Sequence, residues 1–105
     1  MSDAITILKE ARKVIEKPER WTRGAYARDA NGRPVFTDDP KACRFCALGA
    51  MSPASTPMGD AEYLRAMGAL EFAMDGCIVD FNDTHSHAEV LAAFDKAIAN
   101  LEAGQ

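Results

Sequence analysis

Apolar residues recur at helical spacing near both ends of the chain and lose that spacing in between. Over residues 3–17, Ile5, Leu8, Ala11 and Ile15 keep a period near that of a helix, with Ala4, Ile7 and Val14 widening the stripe. Lys9, Glu10, Lys13 and Glu16 fall on the other side, so the spacing predicts an amphipathic first helix. Arg12 sits at the stripe's edge, where its stem can lie along apolar surface. Ser2 or Asp3 supplies its cap and Pro18 its stop. Residues 60–75 repeat the pattern through Tyr63, Leu64, Met67, Leu70 and Met74, and Asp75-Gly76 closes it. The last helix is announced by Ser86-His87-Ala88-Glu89, a capping box in which serine and glutamate each satisfy an orphan backbone group. Val90, Leu91, Phe94, Ala97, Ile98 and Leu101 then form its buried stripe.

Between these helices the punctuation is denser. Residues 25–28 and 33–36 flank Asn31-Gly32, a pair suited to a hairpin turn, and Pro34 confines the return strand to an edge. Such a hairpin needs Trp21, Tyr26, Val35 or Phe36 packed on helices to be stable. Asp39-Pro40 reads as the start of another helix, over about residues 40–51. Cys43, Cys46, Ala47 and Ala50 lie on one side of it and Phe45, Leu48 and Met51 on another, so it belongs in the interior. Residues 52–59 have loop composition. Cys77 to Phe81 read as an extended run, and Asn82-Asp83-Thr84 as a turn. The expected architecture is a single domain over 1–105, α+β and predominantly α. About four helices pack around the central 40–51 helix, with a small hairpin at about 25–36.

Composition narrows the function classes. With 48% hydrophobic and 27% charged residues in 105, the chain has enough apolar material for one modest core. A formal net charge of −4 argues against a non-specific grip on nucleic acid, although basic residues are concentrated between Lys9 and Arg33. No apolar run approaches the length of a membrane span, and the N-terminus lacks a signal-peptide pattern. Three cysteines form an odd set, so reduced thiols in a cytoplasm are expected.

Several fragments imitate chemical motifs. Cys43-Arg44-Phe45-Cys46 is a CxxC, and Cys77, His85 and His87 are the soft ligands that would have to complete a structural zinc site. No second paired motif accompanies it, and two thiols in a buried helix are more simply small apolar filler. The same pair as a redox dithiol lacks the surrounding strand-helix-strand context. His87-Ala88-Glu89 with a CxxC evokes zinc deaminases, but the fragments stand in the opposite order and Glu89 has a structural task in the cap. Asp80, Asn82 and Thr84 begin like a calcium loop, yet His85 and Leu91 occupy the positions where that loop needs glycine and glutamate. Neither a metal nor a cofactor is therefore expected. What remains is a polar group, Asp83, His85 and His87, beside a helix start. Trp21 and Cys46 are the other candidates for lining a ligand site.

Taken together, Pro18-Glu19-Arg20-Trp21, Gly24-Ala25 with Ala27-Arg28-Asp29 and Gly32, Cys46-Ala47-Leu48-Gly49-Ala50, Phe81-Asn82-Asp83, His87-Ala88-Glu89-Val90-Leu91 and Phe94-Asp95-Lys96-Ala97-Ile98 resemble a family of small bacterial and phage proteins of unknown function. The resemblance covers nearly the whole chain. It places Cys46 inside a recurring stretch and Cys43 outside it, and it marks the connection before His87 as shorter than the family's usual one. It carries no activity. The leading expectation is a non-enzymatic accessory or protein-interaction module, binding a protein partner or itself. The alternative is a small-ligand or catalytic pocket at the Asn82–His87 turn, and a structural zinc domain stands third.

Overall fold

The computed structural model describes residues 3–54 and 60–104. Five helices and one two-stranded antiparallel sheet make up these residues: α1 (Ala4–Val14), β1 (Ala27–Arg28), β2 (Arg44–Phe45), α2 (Ala47–Ala54), α3 (Asp60–Met74), α4 (Ile78–Thr84) and α5 (His87–Glu102). The fold is α+β and mainly helical. A 3₁₀ turn at Pro18–Arg20 follows α1. The core draws Ile7, Leu8 and Ile15 from the first helical segment, Met51 from α2, Leu70 from α3 and Val90 and Phe94 from α5.

α1 forms because Asp3 accepts from Thr6 N at 2.8 Å and because Ala4, Ile7, Leu8 and Ala11 are removed from water on one face. It packs against α2, α3 and α5, and is the hub of the helical layer. Arg12 meets Asp95 of α5 across this layer, Nε to Oδ1 at 2.7 Å.

The helix expected over 40–51 begins later. Asp39 Oδ1 accepts from Lys41 N at 2.7 Å and its carbonyl accepts from Ala42 N, which makes a turn and not a helix start. Residues 43–46 then run extended. Cys43 N donates to Arg28 O at 2.9 Å and Cys46 N to Tyr26 O at 3.2 Å, so β2 pairs with β1. The helix starts at Ala47 and continues through residues 52–54, which loop composition had claimed. The rest of that expected loop, 55–59, lies outside the described residues. An apolar run has no period of its own, and strand pairing decided between the two readings.

The hairpin expected at 25–36 is present only as a bridge. Arg28 pairs with Pro34, and Val35 N donates to Ala27 O. Its tip is a three-residue loop. Asp29 Oδ1 accepts from Asn31 N and Arg33 N, and Gly32 alone takes the left-handed backbone, at φ +81°. Arg28 ties this loop down by donating to Thr22 Oγ1, Gly32 O and Arg23 O.

Residues 78–84, expected as an extended run and turn, are helical. Ile78 and Asn82, four apart, face inward, and Phe81 N closes the first turn on Cys77 O. A seven-residue helix stands by packing, which overrides the strand preference of Ile78 and Val79. On α3 the buried face is Ala66, Leu70 and Met74, while Leu64 faces outward.

Close approach fixes the junction of sheet and helix. A Cβ built on Gly49 would fall on the carbonyl oxygen of Tyr26, well inside van der Waals contact, and 2.9 Å from its carbonyl carbon. Gly49→Ala is expected to destabilise the fold by about 2–3 kcal/mol, the cost of overpacking against backbone. The urea midpoint measures it, and an unchanged midpoint would refute the constraint.

Two helix caps predict acid behaviour. Bonds from Thr6 hold the Asp3 carboxyl below its ordinary 3.8, and bonds from Ser86 hold Glu89 below its ordinary 4.5. Since the folded values are the lower ones, both caps contribute fully above the ordinary values. That contribution is lost as pH falls through the folded values. The urea midpoint should decline over this acid range, and a combined Asp3→Asn, Glu89→Gln variant should flatten the decline.

Candidate functional site

Asn82 is the buried polar side chain among the described residues, and it gathers the surrounding elements. Its Oδ1 accepts from Trp21 Nε1 at 2.7 Å and from Ala47 N, at the start of α2, at 2.9 Å. Its Nδ2 donates to Thr22 O at 3.0 Å and to Asp83 Oδ1 at 3.2 Å. An asparagine amide has two acceptor positions and two donors, and here every one is used. Asp83 Oδ1 also accepts from Gly24 N at 3.1 Å, which binds the 22–24 stretch to α4 at a second point.

Beside this network opens a cavity of about 730 Å³. One wall comes from residues 24–26, another from residues 34–36 with Asp39, and the helical framework adds Cys46, Val79 and Asp83. The surface is mainly apolar. Tyr26 is 58% exposed and Phe36 83% exposed, unusual for aromatic rings that line a concavity. Asp39 and Asp83 put two carboxylates on the same surface, and among the described residues none that lines it is basic.

The five residues singled out from the sequence divide. Asp83 and Cys46 line the cavity, whereas Trp21, His85 and His87 do not. Trp21 is anchored by Asn82 and carries the Arg23 guanidinium 5.1 Å from its ring centre. His87 lies 2.6 Å from Ile15 O through Nε2, so that nitrogen carries a proton, and its ring sits 5.4 Å from that of Trp21. It closes the end of α1 over the start of α5. His85 stacks on Phe81 at 3.6 Å between ring centres, and its Nδ1 approaches Phe81 O at 3.0 Å. Arg23 in turn donates to His85 O. Both imidazoles thus satisfy backbone carbonyls.

The thiol of Cys46 is pushed up by burial, which outweighs the bond it accepts from Gly49 N at 3.3 Å. It stays protonated at neutral pH and is a poor nucleophile. Cys43 is half-buried and Cys77 exposed. Among the described residues no three of His, Cys, Asp and Glu are grouped to hold a metal ion. What this surface presents is aromatic contact and negative charge.

Sequence reasoning missed Tyr26, Phe36 and Asp39 as site residues. The available signal was Phe36 itself, an aromatic in a turn-rich stretch with no periodic partner. Asn82 was read as a turn residue, although Ile78 and Asn82 share a helical face.

The architecture is that of a small helical framework carrying a loop-walled cleft. The chain belongs to the family of unknown function DUF6197, whose profile matches residues 1–100. No curated protein and no solved structure gives a significant match.

Asn82→Ala would strand Trp21 Nε1, Ala47 N and Thr22 O. The expected loss is about 3–5 kcal/mol, since each buried orphan costs about 1–3 kcal/mol. Denaturant unfolding followed by Trp21 fluorescence measures the loss. A change under about 1 kcal/mol would show that water replaces the amide freely.

Proposed function

We propose that this protein is a non-catalytic interaction module. Its working surface is the cleft between residues 24–26, residues 34–36 and α4, and its partner is a protein segment that presents an apolar side chain next to a lysine or arginine. The observation that carries the reading is the pairing of two exposed aromatic rings, Tyr26 and Phe36, with two carboxylates, Asp39 and Asp83, around one apolar concavity. Exposed aromatics rimmed by charge mark contact surfaces, and a cationic group over an aromatic face gains from both. The net charge of −4 attracts such a segment at longer range. Asp83 spends Oδ1 on Gly24 and Asn82, and Asp39 spends Oδ1 on Lys41, so the bonds that shape the cleft use one oxygen of each carboxylate.

The test uses short capped peptides pairing leucine or phenylalanine with either arginine or glutamate. Titration into labelled protein should shift the amide signals of Tyr26, Val35, Phe36 and Asp83 with the arginine peptides and leave them in place with the glutamate peptides. Phe36→Ala should weaken binding about tenfold, the size of an aromatic anchor's contribution. Asp39→Asn should weaken it less and reduce its salt dependence. Shifts elsewhere on the surface, or equal response to both charge types, would overturn the reading.

A further inference from the structure

We infer that the cation this cleft selects is an alkylated ammonium, the side chain of a methylated lysine on the partner segment. The inference rests on the cleft being the recognition surface proposed above, and it names the group that the cleft accepts.

The two walls carry the same pair of groups. Val35 N donates to Ala27 O and Arg28 bridges antiparallel to Pro34, so the register of the loop brings Tyr26 level with Phe36. No bridge joins those two among the described residues, and both line the cavity that opens beyond Val35. Gly24 N donates to Asp83 Oδ1 at 3.1 Å, which holds one carboxylate beside the Tyr26 wall. Asp39 N donates to Phe36 O at 3.0 Å, which holds the other beside the Phe36 wall. Each wall therefore brings one exposed aromatic ring and one carboxylate to the same space. Arg28, the cation of β1, spends its guanidinium on Thr22, Gly32 and Arg23 and does not line the cavity.

The kind of cation follows from what the carboxylates have already spent. Asp83 Oδ1 accepts from Gly24 N and from Asn82 Nδ2, which fills its two acceptor positions. Asp39 Oδ1 accepts from Lys41 N. A guanidinium binds a carboxylate best through its fork, which takes both oxygens at once, and Asp83 has one to give. A primary ammonium brings three N–H donors, each of which loses water on entering a mainly apolar space. Methyl groups remove those donors and spread the charge over carbon. The rings then attract the cation through their faces, and the carboxylates act by charge alone, without a required hydrogen-bond direction. Ala25, Val35 and Val79 supply apolar contact for the methyl groups.

The test titrates labelled protein with capped peptides of one sequence, in which leucine is followed by lysine, trimethyl-lysine, arginine or uncharged norleucine. The trimethyl-lysine peptide should bind about tenfold more tightly than the lysine peptide, the worth of a desolvated cation over aromatic faces. The arginine peptide should bind no better than the lysine one, and the norleucine peptide weakest. Phe36→Leu keeps apolar bulk and removes the ring, so it should abolish the preference for methyl groups. Circular dichroism checks that this exposed substitution leaves the fold intact. Tetramethylammonium alone should shift the same amide signals only at millimolar concentration. Lysine or arginine peptides that bind as tightly as trimethyl-lysine, or a Phe36→Leu variant that keeps the preference, would overturn the inference and leave the recognition reading standing. Tetramethylammonium binding as tightly as the peptide would overturn the assignment to a protein segment. If norleucine binds as well as every charged peptide, or none shifts the cleft signals, both readings fall.

Discussion

One fully bonded asparagine amide holds the irregular part of this molecule to its helices. Removed from water, Asn82 has no alternative partners, so the two donors and two acceptors of its side chain dictate where Trp21, Thr22, Ala47 and Asp83 must stand. Apolar packing can assemble the helices, but it is non-directional and leaves a turn-rich segment free to slide. Directional bonds remove that freedom. They place the loop that leaves Trp21 against the start of α2 and the flank of α4, and the cleft is the space left open beside that junction. A buried polar network of this kind specifies one arrangement because a partly made version is costly.

Where periodicity was strong, the sequence spoke clearly. α1, α3 and α5 fall close to the predicted spans because their apolar residues keep one period over many turns and because Asp3 and Ser86 mark their starts. The reading failed where apolar residues were dense but aperiodic. The run from Cys43 to Met51 suits a strand and a helix equally, and only the chance to pair with residues 26–28 divides it at Cys46. Ile78 and Val79 favour a strand locally, yet burial of Ile78 and Asn82 on one face makes a helix of them. Leu64 fits the inner stripe of α3 by spacing and lies outside it, since spacing gives the width of a face only approximately.

Of the candidate site, Asp83 was legible as a polar group beside a helix start, and Cys46 as a thiol within an apolar run that the family resemblance singles out. The two histidines attract attention as potential catalysts, but each is near a backbone carbonyl at a helix end, a role that looks the same in sequence. Tyr26 and Phe36 were taken for core anchors because a small hairpin needs them there. The hairpin instead rests on Arg28 and on pairing with β2, which releases both rings to the surface. Their freedom depends on an arginine whose three bonds no local pattern announces.

The contact between Gly49 and the Tyr26 carbonyl also bears on how the cleft receives a guest. The backbone of that wall rests directly on a helix, with no side chain between to act as a cushion. Wedging it outward would break the bond from Cys46 to the same carbonyl, so this wall arrives at binding already in its final place. The opposite wall, carrying Phe36, is joined to β1 by the bond from Val35 N to Ala27 O, and Val35 packs against the core. For the recognition proposed above, a wall set in advance means that the place of contact is fixed before any guest arrives.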